Sequence, residues 1–229
     1  MASWIPLEVK VGGEFACFTR PEMKVERVSY PVMTPSAARG VLEAIFWKPE
    51  FTWIVREIVV LEPINYISLL RNEVKNRQSE RSARSWGSAG GIGGYTAADD
   101  RTQRHTLALR DVAYIIRADV EVRPDAGEHP AKFRDQFRRR VERGACFSRP
   151  YLGCREFAAW FEPVDGTERA IAMDAGLGRM LLGIAYPEGN TGPGRPRFFD
   201  AEMRQGVIAV PYFNPTGNGG GRDAAPAAA

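Results

Sequence analysis

The sequence predicts an α+β protein whose core runs strand, helix, strand, strand, helix, strand. Three observations predict it. The chain starts with an alternating apolar stretch. Two amphipathic helical segments carry clear start and stop signals. Two long runs rich in β-branched and aromatic residues lie between those helices. A βαββαβ order is that of the ferredoxin-like arrangement, an antiparallel sheet with both helices on one face.

In "PLEVKV", Leu7, Val9 and Val11 fall on one side, as in a half-buried strand. Residues 12–33 are rich in Pro, Gly and charge and read as a long ordered loop, with a short strand around Val25 to Tyr30. In "TPSAARGVLEAIFWKPE", Thr34 is placed to cap a helix, Pro35 suits its first position, and Pro49 marks the stop. Ala38, Val41, Leu42 and Ile45 form its apolar stripe, with Phe46 at the rim on the side of Arg39. "FTWIVREIVVLEPINY" is strand-like. Residues 67–104 are polar, Arg-rich and Gly-rich without an apolar period, and read as a basic, flexible insertion. "HTLALRDVAYIIRADVEV" is the next strand, "PAKFRDQFRRRVERG" a helix stopped by Gly144, and "CREFAAWFEPV" the closing strand. Residues 1–163 thus form the core domain. Residues 164–214, with "MLLGIAY" and "RFFDAEMRQGVIAVP", form a small antiparallel β appendage, and the low-complexity tail 215–229 is expected to be disordered.

Composition narrows the function classes. The chain has 229 residues with 44% hydrophobic content, enough for one sizeable core. It has no apolar run of ~18 residues, so no membrane partner is expected, and "MASWIPLEVKV" lacks the regions of a secretory signal. Cys17, Cys146 and Cys154 are odd in number and form no CxxC pair, which argues against a disulfide framework or structural zinc and suits the cytoplasm. No triad, paired-carboxylate or metal-ligand spacing stands out, so neither metal nor cofactor is expected. Net charge is only +3, so the placement of charge matters more than its sum.

That placement is uneven. The second helix carries six cationic side chains. Phe133, Phe137 and Val141 give it a core face. At about 100° per residue, Lys132, Gln136, Arg139 and Arg143 line one flank, and Arg134 and Arg138 the other. Asp135 and Glu142 can pair with Arg138. The alternatives are a salt-bridged solvent face and a row of cations for a phosphate backbone. The 67–104 segment interleaves Arg71, Lys75, Arg77, Arg81, Arg84, Arg101 and Arg104 with Trp86 and Tyr95, a mixture that suits single-stranded RNA or simply a solvated loop. "GSAGGIGG" lacks the Lys-Ser/Thr of a P-loop. Of the two histidines, His105 opens a strand, while His129 directly precedes the basic helix, where it can exchange a proton near neutral pH.

Several stretches together resemble one family: "GGEFACFTRPEMKVERVSYPVMTPSAARGVLEAIFWKP", "RNEV", "LRDVAYII", "AKFRDQFRRRVERGACF" and "YLGCREF". The chain resembles the CRISPR-associated Cas-five family of subtype I-C, well over residues 7–162 and more loosely beyond. The resemblance implies an RNA-recognition-motif-type ferredoxin-like core with a small C-terminal sheet. It implies an endoribonuclease that cuts precursor CRISPR RNA near the base of each repeat stem-loop, without a metal, by attack of the substrate's own 2′-hydroxyl. It further implies that the protein holds the crRNA 5′ handle and joins the other subunits of a type I-C surveillance complex.

The same resemblance exposes a departure. Where the family carries Tyr or His at the end of the first helix, this chain has Phe46; where it carries a Lys-His pair opening the second helix, this chain has Lys132–Phe133. The cation is retained, but two groups that move protons are replaced by rings that do not titrate. Three outcomes are open: binding without cutting, as a structural RNA-binding subunit that caps the crRNA 5′ end; slow cutting through Lys132 alone; or cutting in which His129, Tyr30 or Tyr151 has taken over proton transfer. The expectation is retained cleavage at a rearranged site. Arg20, Lys24, Arg27, Arg39, Lys132, Arg139 and Arg143 are the expected RNA contacts, with local pairing to Glu22 and Glu26 as the alternative for Arg20, Lys24 and Arg27. Non-specific duplex DNA is a further candidate partner. The central expectation is a cationic groove between one flank of the second helix and the edge of the first.

Overall fold

The computed structural model describes residues 6–23, 25–76, 79–88, 90–91, 93–94, 96–187 and 192–215. Its frame is a mainly antiparallel sheet. Strand β1 (Leu7–Ala16) pairs antiparallel with β5 (Arg101–Val122) on one side and with β6 (Trp160–Glu162) on the other. Strand β3 (Phe51–Val60) lies antiparallel on the far side of β5. Two further strands also pair with β5: β2 (Arg27–Val28) runs parallel to it and β4 (Asn65–Val74) antiparallel.

The C-terminal strands continue the same sheet. β9 (Val207–Ala209) pairs with β3, β8 (Arg195–Arg204) with β9, and β7 (Ala175–Ala185) with β8, giving the order β6-β1-β5-β3-β9-β8-β7. Leu7, Val9 and Val11 of β1 are buried, as the alternation of "PLEVKV" demands.

Helix α1 (Pro35–Ile45) begins as its sequence predicts, with Thr34 Oγ1 accepting a hydrogen bond from the Ala37 amide at 3.2 Å and Pro35 in the first turn. It ends earlier than Pro49 suggests. Phe46 adopts extended angles (φ −152°, ψ 117°). Its amide still donates to the Leu42 carbonyl at 2.8 Å, while its own carbonyl accepts from Trp53 Nε1, also at 2.8 Å. That side-chain donor draws the chain out of the helix and satisfies a buried indole N–H. Phe46 is consequently in the core rather than at the rim of the stripe.

Helix α3 (Pro130–Glu142) buries Phe133, Phe137 and Val141, the face its sequence marks, and Gly144 follows it at φ +62°. The two helices share a face of the sheet through aromatic contacts. Phe51 sits 5.4 Å from Phe46 and 5.0 Å from Phe133, and Trp53 meets Phe137 edge-on at 4.8 Å, centroid to centroid.

Three further expectations change on the structure. β1 runs to Ala16, into residues read as loop. Residues 67–104 are not without regular structure: β4 runs to Val74, and α2 (Glu80–Ser88) follows. The pattern escaped the sequence because β4 forms an arm with the first half of β5, where most side chains are exposed or half-buried and no core enforces a polar–apolar alternation. Tyr95 and Arg77 of that segment, and the tail from 216 on, lie outside the described residues. The closing strand is also shorter than "CREFAAWFEPV": its first half is a turn, with the Phe157 amide bonded to the Cys154 carbonyl and the Leu152 amide to the Phe157 carbonyl.

Candidate nucleic-acid interface

The N-terminal end of α3 places three of the sequence-predicted residues side by side. His129 is the N-cap, its Nδ1 accepting from the Ala131 amide at 3.2 Å. A ring that accepts through Nδ1 carries its hydrogen on Nε2, so capped His129 presents a donor rather than a base. Lys132 lies one turn on, its Nζ 2.5 Å from Glu128 Oε1 and 5.9 Å from the Phe133 ring centroid. Phe133 is buried on Phe51, and Phe51 is in turn packed on Phe46. Residues 46 and 133, far apart in sequence, thus converge on the Phe51 ring, with Lys132 Nζ over Phe133. Arg140 closes the same seam, donating from Nη1 to the Ile45 carbonyl at 3.1 Å with its guanidinium 5.4 Å from the Phe46 ring centroid.

The cationic flank divides. Lys132 is engaged by Glu128, a carboxylate just outside the helix that the in-helix count left out. Arg139 and Arg143 are exposed and make no ion pair among the described residues. On the other flank, Arg134 grips Asp119 with two bonds of 2.9 and 2.6 Å, and Arg138 pairs with Asp135 at 3.1 Å. Arg134 is thereby committed to the fold, whereas the Arg138 pair is exposed at the surface.

The remaining candidates scatter. Arg20 lies 4.6 Å over the Tyr30 ring and 3.8 Å from Glu22, and both line a pocket with Arg179 and Phe198 of the C-terminal strands. Tyr30 is buried, and that burial raises its pKa. Arg27 is bound into the arm and the 151–157 turn by Glu73 at 3.2 Å, Glu156 at 3.3 Å and the Cys154 sulfur at 3.8 Å. Arg39 is only 8% exposed, its guanidinium against the Phe213 ring and its Nε without a partner among the described residues; burial lowers its pKa and Glu43 opposes that. Lys24 lies outside the described residues. Tyr151 is exposed and lines a second pocket, at the end of α1. Tyr30, Tyr151 and the Lys132 cluster are therefore not one constellation.

Sequence reasoning passed over several groups. Trp47, Phe147, Arg149 and Arg155 share the Tyr151 pocket, and Glu43 forms part of its wall. A tryptophan beside a proline-terminated helix end and a phenylalanine flanked by polar residues were the available signals. Neither belongs to a periodic pattern.

Three comparisons bear on this geometry. A family model described as CRISPR-associated protein (Cas_Cas5), of the Cas5d type, matches residues 6–211. A Thermus thermophilus protein named CRISPR pre-crRNA endoribonuclease Cas5d is 46% identical over 223 residues, covering 90% of this chain and 91% of the relative. A Mannheimia succiniciproducens protein of the same name is 43% identical over 218 residues, covering 90% and 95%. Among solved structures, one described as a CRISPR-associated protein superposes with a TM-score of 0.64 at 25% identity over 90% of this chain and 92% of that one. A Streptococcus mutans protein shares the fold with a TM-score of 0.61 at 21% identity, covering 93% of each chain.

Proposed function

The chain belongs to the Cas5d-type family of CRISPR-associated proteins, and from that premise we propose that it cuts CRISPR repeat RNA in precursor transcripts without a metal and then holds the 5′ handle of the product in a type I-C surveillance complex. The observation that carries this reading is the convergence of Phe46 and Phe133 on Phe51, with Lys132 beside them. The two positions where relatives are expected to keep proton-transfer groups meet in space, and a cation stands at their edge. The order β6-β1-β5-β3 with α1 and α3 on the Phe51 face supports a ferredoxin-like core of the RNA-recognition type over residues 1–163, with 164–214 as its β appendage. Cys17, Cys146 and Cys154 are all free thiols, which suits work in the cytoplasm.

The chemistry follows from the groups present. The ribose 2′-hydroxyl attacks the adjacent phosphorus, the bond from phosphorus to the 5′-oxygen breaks, and the products are a 2′,3′-cyclic phosphate and a 5′-hydroxyl. One proton leaves the 2′-oxygen and one reaches the 5′-oxygen. Lys132 offsets charge on the non-bridging oxygens as it builds. His129, whose Nδ1 caps α3, has its Nε2–H as the remaining donor for the same phosphate. Tyr30 is buried with its pKa raised, which disfavours it as a base. Tyr151 is exposed but lines the separate pocket at the end of α1, so it too stands apart from Lys132. Holding the strand with its 2′-oxygen in line accounts for much of the remaining acceleration.

A second reading, a non-catalytic subunit that binds RNA and caps its 5′ end, is favoured by the same two phenylalanines, since buried rings move no proton. One experiment separates the two. Purified protein in excess is incubated with a cognate repeat RNA in EDTA, and the termini of any product are mapped. Cleavage to a 5′-hydroxyl and a cyclic phosphate supports the nuclease. RNA that stays bound but intact for hours leaves only the structural subunit.

A further inference from the structure

Where α1 ends, three large rings face water around one pocket of about 630 Å³. Phe147 is 78% exposed, Trp47 53% and Tyr151 41%. Leaving that much aromatic surface in water forgoes burial that such rings normally gain, so a cluster of this kind marks a binding surface. The rings are held in place by the backbone around them. The amides of Phe147 and Ser148 both donate to the Ala44 carbonyl, at 2.9 and 3.0 Å. Pro150 is buried and its carbonyl accepts from Ala159 at 3.0 Å, while Tyr151 bridges to Ala158. The loop is thus fixed to the end of α1 at one side and to the approach to β6 at the other.

The charge around the rings is cationic. Arg149 and Arg155 line the pocket, are exposed, and make no ion pair among the described residues. Glu43 is the single carboxyl in the wall; its burial raises its pKa, and the Arg39 charge opposes that. Flat apolar faces beside unpaired guanidiniums match the two halves of a nucleotide, a base that stacks and a phosphate that pairs. A protein partner also uses aromatic and arginine anchors. Nucleic acid is favoured by continuity, because Trp47 directly follows Phe46 and the pocket opens from the helix end that bears the proposed processing site.

We propose that this pocket holds one unpaired nucleotide of the bound RNA, its base stacked on Trp47 and Phe147 and its phosphate on Arg149 and Arg155. The proposal rests on the RNA-binding part of the function proposed above. It adds a single-strand subsite distinct from the Lys132 cluster, with which it shares no lining residue.

The test uses the full chain and two probes. Affinity for a repeat RNA is measured by fluorescence anisotropy for the wild type and for Trp47→Ala, Phe147→Ala and Trp47→Phe. Each alanine variant is expected to bind roughly 5- to 100-fold more weakly, the loss of about one stacked base, and Trp47→Phe within about 3-fold of the wild type. Arg149→Ala with Arg155→Ala should lower the salt slope by about 0.7 for each phosphate released. Separately, single-stranded oligouridylate should quench the tryptophan emission that Trp47→Phe removes.

Unchanged RNA affinity in both alanine variants, with circular dichroism showing them folded, overturns the proposal. So does normal RNA binding combined with failure to co-purify with the other complex subunits, which would assign the pocket to protein. If the wild type ignores repeat RNA while oligouridylate still quenches Trp47, the processing function fails and the subsite stands. If neither probe engages Trp47, the subsite fails as well.

Discussion

Removing the Lys132 ammonium should separate binding from chemistry. In the free protein its charge is already answered by Glu128 at 2.5 Å, with the two side chains 57% and 38% exposed. An exposed pair of this kind contributes at most about 1 kcal/mol, a factor of about 5. When RNA arrives, Lys132 exchanges one anionic partner for another, so its net contribution to ground-state affinity is no larger than that. In the transition state the phosphate gains charge that Glu128 cannot answer, and a preorganised donor at such a site contributes about 10²- to 10³-fold in rate. Lys132→Ala should therefore lower the single-turnover cleavage rate by about 100-fold or more while weakening RNA binding by no more than about 5-fold.

The same reasoning makes Glu128 an antagonist of binding. Glu128→Gln should tighten RNA binding by up to about 5-fold, with no loss of cleavage rate, because the ammonium no longer has to be released. Combined with Lys132→Ala, the glutamine should have no such effect. The assay is cleavage of end-labelled repeat RNA by excess protein in EDTA, with anisotropy for affinity. An equal loss of rate and affinity in Lys132→Ala would make Lys132 a binding cation only. Weaker RNA binding by Glu128→Gln would remove Lys132 from the RNA surface altogether.

Three further outcomes follow from particular contacts. Phe137→Ala deletes a buried ring packed on Trp53, and equilibrium denaturation should show a loss of about 3–5 kcal/mol. His129→Asn keeps a good helix cap while His129→Ala loses about 1 kcal/mol, so chemical denaturation should rank alanine below asparagine; a slower cleavage rate in both would report the imidazole itself. The hydrogen bond with Cys17 holds the Cys154 thiol down to about 6, helped by Arg27 and opposed by burial and Glu156. The reactive form is the thiolate, so alkylation of Cys154, followed by mass spectrometry of its peptide, should rise through pH 6 and level off near neutrality, instead of rising through about 8.5 as for an ordinary thiol. A midpoint near the ordinary value would refute that assignment.

Helices α1 and α3 were legible because their signals are local. Thr34 and Pro35 open α1, Gly144 closes α3, and the Phe133–Phe137–Val141 stripe needs only its own period to be read. The first half of β1 was equally plain, while residues 12–16, read as loop, extend it to Ala16. The arm was not, because β4 has no core to face and its exposed Leu70 and Val74 obey no alternation rule. The β9–β3 pairing that joins the C-terminal strands to the main sheet was also out of reach, since a three-residue strand leaves almost no pattern. At the site, Arg138 paired with Asp135 as its spacing allows. The bidentate Arg134–Asp119 pair and the Lys132–Glu128 pair each use a partner beyond the helix, which counting charges along the helix cannot find.

The phenylalanines at 46 and 133 show how far a sequence pattern carries function and where packing takes over. Read along the chain, each is a lost proton-transfer group. In space both lie against Phe51, in an aromatic layer that continues through Trp53 to Phe137. A histidine or tyrosine at either position would bring a polar atom that needs a partner, at a cost of about 1–3 kcal/mol if none is found. The polar atoms nearest this seam are already engaged: Trp53 Nε1 holds the Phe46 carbonyl and Arg140 the Ile45 carbonyl. The layer is thus complete with two phenylalanines, and restoring one titrating side chain alone would trade stability for chemistry. At the site proposed above, proton transfer comes from side chains outside the layer, and Lys132, paired with Glu128 at the exposed edge, is the cation placed to exchange that partner for a phosphate.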